Sequence, residues 1–233
     1  MSGKEITIAA ADGGEFMGYL AAPASGGGPG VVVIQEIFGV NAVMRGLTDG
    51  LAGEGFMALC PDLFWRQEPG IQITDQTDEE WARAFELYQG FDESKGTEDL
   101  TAALDHLRGR DERTGKVGTV GHCLGGKLVY LMATRSDADC NVSYYGVDIE
   151  ANLDEAKNIT KPLLMHIAEA DQFVPAEAQQ AIKDKLAGNS LVTIHSYPGL
   201  DHAFCRVGGQ NYDRAGADLS NRRTADFLKA HLA

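Results

Sequence analysis

A cysteine lies between two glycines in the segment Gly121-His122-Cys123-Leu124-Gly125. A short apolar run precedes it at residues 116–120, and an apolar helical run follows at residues 124–134. This is the spacing of a nucleophile elbow, a sharp strand-to-helix turn, with cysteine where serine is usual. Glycines let the chain turn without Cβ clashes, and the partial positive charge of a helix N-terminus favours a thiolate. The pattern predicts a nucleophile at Cys123.

Nucleophilic catalysis also needs a base and an acid that orients the base. Asp171 follows an apolar run at residues 163–167, and His202 follows the next apolar run along the chain. The chain order of nucleophile, acid and histidine is the order found in α/β-hydrolases. Glu169 and Asp201 are alternatives for the acid, because each lies near one of these positions.

Each candidate also has a structural interpretation. Cys123 could be a small buried hydrophobe, but the helix N-terminus between glycines favours an exposed, electropositive position. Asp171 could be a loop acid or a helix cap, and His122 is expected to point elsewhere on the turn. The other cysteines and two histidines inside strands are expected to be packing, core or surface residues: Cys60, Cys140, Cys205, His166 and His195.

Length and composition limit the class of protein. The 233 residues, 44% of them hydrophobic, allow a full core. A net charge of −14 argues against nucleic acid and anionic membranes as partners. Four scattered cysteines without a Cys-x-x-Cys pair do not support zinc, redox or disulfide motifs. Without a visible signal peptide or an apolar run of about 20 residues, we predict a cytoplasmic protein.

Apolar periodicity predicts alternating strands and helices. Strands are expected at residues 6–9, 16–21, 31–34, 56–60, 117–120, 141–145, 163–167 and 192–197. Helices are expected at residues 42–53 with Asn41 as cap, 77–89 with a capping box, 95–108, 124–134, 176–186 and 212–232, and residues 25–30 as a flexible turn. This pattern predicts one α/β domain over residues 1–233, a mainly parallel twisted sheet with helices on both faces.

Ligands of such sheets bind at the carboxyl ends of the strands. An oxyanion hole there is expected from the backbone N–H of Leu124 and from that of Ile37, in the loop after the third strand. Glu36 ends an apolar run beside Ile37. Position alone favours a surface acid or a helix-start charge for Glu36.

The chain resembles the dienelactone hydrolases, or carboxymethylenebutenolidases, of the α/β-hydrolase superfamily. The matching segments extend over essentially the whole chain: Gln35-Glu36-Ile37-Phe38-Gly39-Val40-Asn41, Cys60-Pro61-Asp62-Leu63, Gly121-His122-Cys123-Leu124-Gly125-Gly126, Tyr144-Tyr145-Gly146-Val147, Asp171-Gln172-Phe173-Val174-Pro175 and His202-Ala203-Phe204-Cys205-Arg206. The cysteine elbow together with Gln-Glu-Ile-Phe-Gly is quite specific to this family.

The resemblance implies a Cys123–His202–Asp171 triad that opens a small cyclic enol ester, dienelactone, to maleylacetate in the degradation of chlorinated aromatics. It also implies that Glu36 contacts the resting thiol and takes its proton once substrate binds. Such gating would protect the thiol, because a permanent thiolate is prone to oxidation. Arg206 matches a family arginine that binds the substrate carboxylate, a role that suits a planar guanidinium. The alternative for Arg206 is a surface position.

The chain departs from the family where substrate is bound. The family's second substrate-binding arginine would fall at Trp81, and a nearby tyrosine at Phe85. Arg83 is no simple substitute, because two residues along a helix point about 200° apart. The resemblance therefore implies a pocket that keeps Arg206, adds Phe38 and Trp81 as substrate contacts, and favours a larger or less charged ester or lactone.

We therefore predict a monomeric, cysteine-dependent hydrolase of small esters or lactones that forms a thioester intermediate and needs no metal or organic cofactor. A general carboxylesterase or thioesterase on the same residues is the nearest alternative. A non-catalytic binding protein with this fold is a third hypothesis, against which the complete set of nucleophile, acid and histidine argues.

Overall fold

The computed structural model describes residues 3–233. Of these, residues 3–118 with Ala233 form one compact unit, and Thr119–Leu232 form a second. One domain over residues 1–233 stays a prediction. Within residues 3–233, no helix is both long and apolar enough to cross a membrane.

The first unit contains strands that pair mostly antiparallel. β1 pairs antiparallel with β2 and β2 with β4, whereas β3 pairs with β4 in parallel. The elements of this unit are β1 (Lys4–Ala9), β2 (Glu15–Ala21), β3 (Gly28–Ile34), α1 (Ala42–Gly53), β4 (Met57–Pro61), α2 (Asp78–Gln89), α3 (Glu93–Arg108) and the first part of β5 (Arg113–His122).

The second unit alternates parallel strands with helices. The end of β5 pairs with β6, β6 with β7 and β7 with β8, all in parallel. The strand order of the eight-stranded sheet is β1-β2-β4-β3-β5-β6-β7-β8, which confirms the predicted α/β fold class. The further elements of this unit are α4 (Leu124–Arg135), β6 (Asn141–Tyr144), a kinked 3₁₀ segment (Ile149–Asn158), β7 (Leu163–Ala168), α5 (Ala176–Leu186), β8 (Val192–Tyr197) and α6 (Arg214–Leu232).

Several predicted boundaries were wrong. Residues 28–30 belong to β3 rather than to a flexible turn, and Gly30 lies so close to Val117 that a Cβ would approach it to 2.9 Å. Helix α6 begins at Arg214 rather than at residue 212, because Asp213 Oδ1 accepts a hydrogen bond from Gly216 N at 2.7 Å. The 3₁₀ segment was not predicted.

Helix caps were predicted more accurately. Asn41 Oδ1 accepts hydrogen bonds from the backbone N–H groups of Val43 and Met44, each at 3.1 Å, which confirms Asn41 as the cap of α1. Thr77 Oγ1 accepts from Glu80 N at 3.2 Å, but the Glu80 carboxylate accepts from Thr74 instead of closing the box. Only half of the predicted capping box therefore forms.

Candidate active site

Cys123 lies at the turn between β5 and α4 in a backbone conformation that non-glycine residues rarely adopt, with φ 57° and ψ −118°. Its N–H donates to Tyr144 O at 3.1 Å, and its carbonyl accepts from Lys127 N at 3.2 Å. These hydrogen bonds hold the strained turn, as is common at functional sites. The side chain is only 7% exposed, so the predicted exposed position was wrong: the turn packs inward against β6.

The close packing of α4 depends on a glycine outside the elbow pentapeptide. A Cβ at Gly126 would lie 2.5 Å from Tyr144 O and 2.8 Å from Gly146 Cα. A larger residue at position 126 would push the start of α4, and with it Cys123, away from the end of β6.

His202 and Asp171 meet in the second unit through a buried hydrogen bond. His202 Nδ1 donates to Asp171 Oδ2 at 2.9 Å and lies 3.1 Å from Oδ1. Asp171 Oδ1 in turn accepts from the backbone N–H groups of Phe173 and Val174 at 2.8 and 3.1 Å. The backbone of its own loop therefore holds the Asp171 carboxylate in place, and the carboxylate in turn fixes the orientation of the His202 imidazole.

The two alternative acids have other partners. Glu169 lies 3.8 Å from Lys183 Nζ. Asp201 Oδ1 accepts from His202 N at 2.6 Å and from Gln172 N at 3.0 Å, which are backbone groups rather than the imidazole. Asp171 is therefore the carboxylate in position to orient His202.

Cys123 lies close enough to His202 to affect the pKa of the imidazole. Burial by itself lowers the pKa of His202, but the Cys123 sulfur and the hydrogen-bonded Asp171 carboxylate together raise the pKa to about 10. An imidazole between a carboxylate and a thiol can exchange a proton with the thiol. The rings of Tyr145 and Phe173 contact the His202 ring edge-on, with centroids 5.0 and 4.9 Å away.

Glu36, Ile37 and Phe38, in the loop after β3, are all buried. Glu36 is only 2% exposed, so the surface position that its place in the sequence favoured was wrong. Gln35 spans the base of this loop, because its Oε1 accepts from Leu63 N at 3.0 Å and its Nε2 donates to Glu36 O at 3.3 Å.

An aromatic cluster of Phe38, Trp81 and Phe85 extends from this loop to α2. Trp81 contacts Phe38 edge-on at 5.1 Å and stacks on Phe85 at 5.6 Å, and its Nε1 donates to Asp75 O at 3.1 Å. Phe85 is 39% exposed, so the cluster reaches the surface of the first unit. Arg83 forms ion pairs with Glu68 and Glu86, which agrees with its predicted direction away from Trp81.

Arg206 lies in the loop after His202 and is 6% exposed, so it is not a surface arginine.

The four cysteines are all buried, and burial raises the pKa of the Cys60 thiol. His166 bonds Tyr197 Oη at 2.7 Å and Thr224 Oγ1 at 3.0 Å, which fits the predicted core position.

His122 stacks on Tyr144 at 4.4 Å, beside the nucleophile turn. Sequence reasoning gave no role to Tyr145, Phe173 or Asp201 around His202. The signal available for Tyr145 and Phe173 was their place within the matching family segments, whereas Asp201 was considered only as an acid. In the part of the chain that the structure describes, no group of three or more His, Cys, Asp or Glu side chains is arranged to hold a metal ion.

The sheet, the strand-to-helix turn at Cys123 and the His202–Asp171 pair after β8 and β7 define an α/β-hydrolase fold. The model of the dienelactone hydrolase family matches residues 16–232. This chain belongs to the dienelactone hydrolase family, and it is a hydrolase.

Relatives extend over nearly the whole chain. A protein of Azospirillum brasilense, described as a candidate carboxymethylenebutenolidase, is 54% identical over 98% of this chain and 99% of its own length. The carboxymethylenebutenolidase of Pseudomonas putida is 40% identical over 96% of this chain and 94% of its own. A crystal structure from Klebsiella pneumoniae, described as a candidate dienelactone hydrolase, is 26% identical with a TM-score of 0.85 and covers 97% of both chains.

Proposed function

We propose that the protein hydrolyses small esters or lactones by covalent catalysis, with Cys123 as nucleophile, His202 as base and Asp171 as the acid that orients the base. The observation that carries this proposal is the buried imidazole of His202, which Asp171 holds at 2.9 Å and whose pKa the Cys123 sulfur raises. The name of the Pseudomonas putida relative, carboxymethylenebutenolidase, supports cleavage of a lactone ester bond.

In the proposed reaction, the Cys123 sulfur attacks the carbonyl carbon, and the backbone N–H groups of Leu124 and Ile37 stabilise the oxyanion. The carbon–oxygen bond to the leaving group then breaks, the departing oxygen takes up the proton that the thiol gave up, and a thioester forms. His202 takes a proton from water as the water oxygen attacks the thioester. The carbon–sulfur bond then breaks, and His202 returns its proton to the sulfur as the acid product leaves.

The proton affinity of His202 changes in the direction that this cycle needs. In the free enzyme, burial lowers the pKa of His202. Among the groups that raise this pKa, Cys123 has the largest effect. Acylation removes the charge from the sulfur, so the pKa of His202 falls and the neutral imidazole becomes available as a base. The same pair of residues thus stabilises the thiolate once the thiol proton has left, and it supports base catalysis after acylation.

Glu36 is proposed to accept the thiol proton when substrate binds, and its burial at the end of β3 supports a role other than surface charge. In this gated scheme, the resting Cys123 is a thiol, whereas without gating it forms an ion pair with His202. We expect iodoacetamide to alkylate resting Cys123 slowly at neutral pH and to alkylate it faster when a non-hydrolysable lactone analogue is bound. In Glu36→Gln, this acceleration is expected to be lost.

The alkylation rate is followed by intact-protein mass spectrometry over a range of pH. Gating by Glu36 is contradicted if wild-type Cys123 already reacts as a full thiolate without ligand and Glu36→Gln reacts identically. Cys123→Ala is the control that assigns the modified residue, because any alkylation that persists in this variant belongs to one of the three remaining cysteines.

The proposed substrate is an apolar or aromatic ester or lactone, because the cluster of Phe38, Trp81 and Phe85 offers ring faces rather than a second cation. We propose that the protein acts as a monomer, because all residues of the proposed reaction belong to one chain. Arg206 remains the group proposed to bind a substrate carboxylate.

We expect kcat/KM to be higher for uncharged aryl esters than for dienelactone, and Trp81→Arg to raise the relative rate on dienelactone about tenfold or more, since a hydrogen bond to a charged group contributes about 1.5–3 kcal/mol. The measurement is a panel of dienelactone, aryl esters and acyl thioesters. Ala82→Arg is the matched control, because it adds the same charge at an exposed position of α2. A dienelactone preference in the wild type that Trp81→Arg does not increase would contradict the proposed specificity.

A further inference from the structure

We propose that Asp201 is a positioning residue that clamps the loop of Asp171 to the loop of His202. Its Oδ1 accepts hydrogen bonds from His202 N at 2.6 Å and from Gln172 N at 3.0 Å, and its Oδ2 accepts from Gln172 Nε2 at 3.3 Å. One carboxylate therefore joins the residue that follows the acid to the backbone of the base. This inference rests on the proposed function of Cys123, His202 and Asp171.

The clamp acts at the tips of the two loops. Asp171 and His202 are 31 residues apart in the chain, so their 2.9 Å contact depends on how the two loops are held together. Nearer to the strands, backbone hydrogen bonds join Glu169 N to Tyr197 O at 3.1 Å and Ala170 N to Leu200 O at 2.9 Å. Beyond these two bonds, the side chain of Asp201 makes the next connection between the loops.

The other hydrogen bonds of the two catalytic residues do not replace this connection. Asp171 accepts from Phe173 N and Val174 N, which belong to its own loop, and the His202 carbonyl accepts from Asn211 Nδ2 at 3.0 Å, on the side of α6. Loss of the Asp201 carboxylate would leave both loops folded but would free their relative position. A displacement of about 1 Å at a catalytic base can reduce the rate about a hundredfold.

The test compares Asp201→Ala, Asp201→Asn and wild type in the aryl ester assay and in Cys123 alkylation by iodoacetamide. We expect Asp201→Ala to lower kcat about 10- to 100-fold with KM little changed, because the loops move the base rather than the substrate contacts. Alkylation of Cys123 should slow as well. Asp201→Asn should recover most of kcat, because its Oδ1 can still accept both backbone N–H groups.

Asp92→Ala is the matched control. Asp92 Oδ1 also accepts two backbone N–H groups, those of Ser94 and Lys95, at the start of α3 in the first unit. We expect this variant to lower the melting temperature without changing kcat or the alkylation rate.

Wild-type kcat and alkylation in Asp201→Ala would overturn the clamp while leaving the proposed function intact. An Asp201→Asn variant as slow as Asp201→Ala would also overturn it, because charge rather than hydrogen bonding would then be responsible. Absence of hydrolysis by the wild type on every ester would overturn the proposed function instead, and the alkylation rates of Cys123 would still decide the role of Asp201.

Discussion

Replacement of Cys123 by alanine is expected to reduce kcat by about 10⁵- to 10⁶-fold, to the level that binding and oxyanion stabilisation provide alone. Alanine leaves the strained turn at φ 57° in place but removes the atom that attacks the carbonyl. The measurement is the initial rate on the best aryl ester, together with a search for the thioester by mass spectrometry of acid-quenched enzyme. The wild type should show an acyl adduct, and Cys123→Ala should show none.

Cys140→Ala is the control for this variant. Cys140 is buried in the same unit but precedes β6, at the end of the strand opposite to the Cys123 turn. Its replacement is expected to lower stability slightly and to leave kcat unchanged. Unchanged turnover in Cys123→Ala would remove the catalytic assignment of Cys123 and favour a different nucleophile.

Replacement of Asp171 by asparagine is expected to lower kcat roughly 10³- to 10⁴-fold, because the amide no longer fixes the imidazole tautomer or stabilises the imidazolium. Desolvation lowers the pKa of His202 while Cys123 and Asp171 raise it to about 10. Loss of the carboxylate therefore moves the pKa of His202 down. The Cys123–His202 pair should lose its shared proton at lower pH, and the alkaline limb of the kcat/KM profile should shift in the same direction.

Glu169→Gln is the control for Asp171→Asn. Glu169 lies in the same loop but is paired with Lys183 at 3.8 Å, so its neutralisation should leave kcat and the pH profile unchanged. If Glu169→Gln causes the loss of rate and Asp171→Asn does not, the assignment of the orienting acid is wrong.

Local signals made the elements predictable from the sequence. The Asn41 cap, the buried strand run before Cys123 and the alternation of strands with helices each depend on neighbours within a few residues. Errors occurred where a partner lies far along the chain. Gly30 belongs to β3 and packs close to Val117, and Glu36 is buried although its position suggested a surface acid.

The candidate site was also predictable only in part: the sequence nominated its residues but did not decide which acid orients the histidine. The chain order of Cys123, Asp171 and His202 was sufficient to nominate them, because parallel strands bring their carboxyl ends to one edge of the sheet. It was not sufficient to choose among Asp171, Glu169 and Asp201, which are all acids in adjacent loops. That choice depends on which oxygen lies within hydrogen-bond distance of Nδ1, a quantity without a sequence signal.

The sequence by itself determined the family and the strand and helix order, and it nominated Cys123 as the nucleophile, since these depend on residue type, spacing and local backbone preference. Only the tertiary structure decided that Cys123 is buried, that Gly126 must be a glycine and that Asp201 bonds two loops rather than an imidazole. The physical reason is that burial, close packing and hydrogen bonds between loops are set by distances between residues that are remote in the chain.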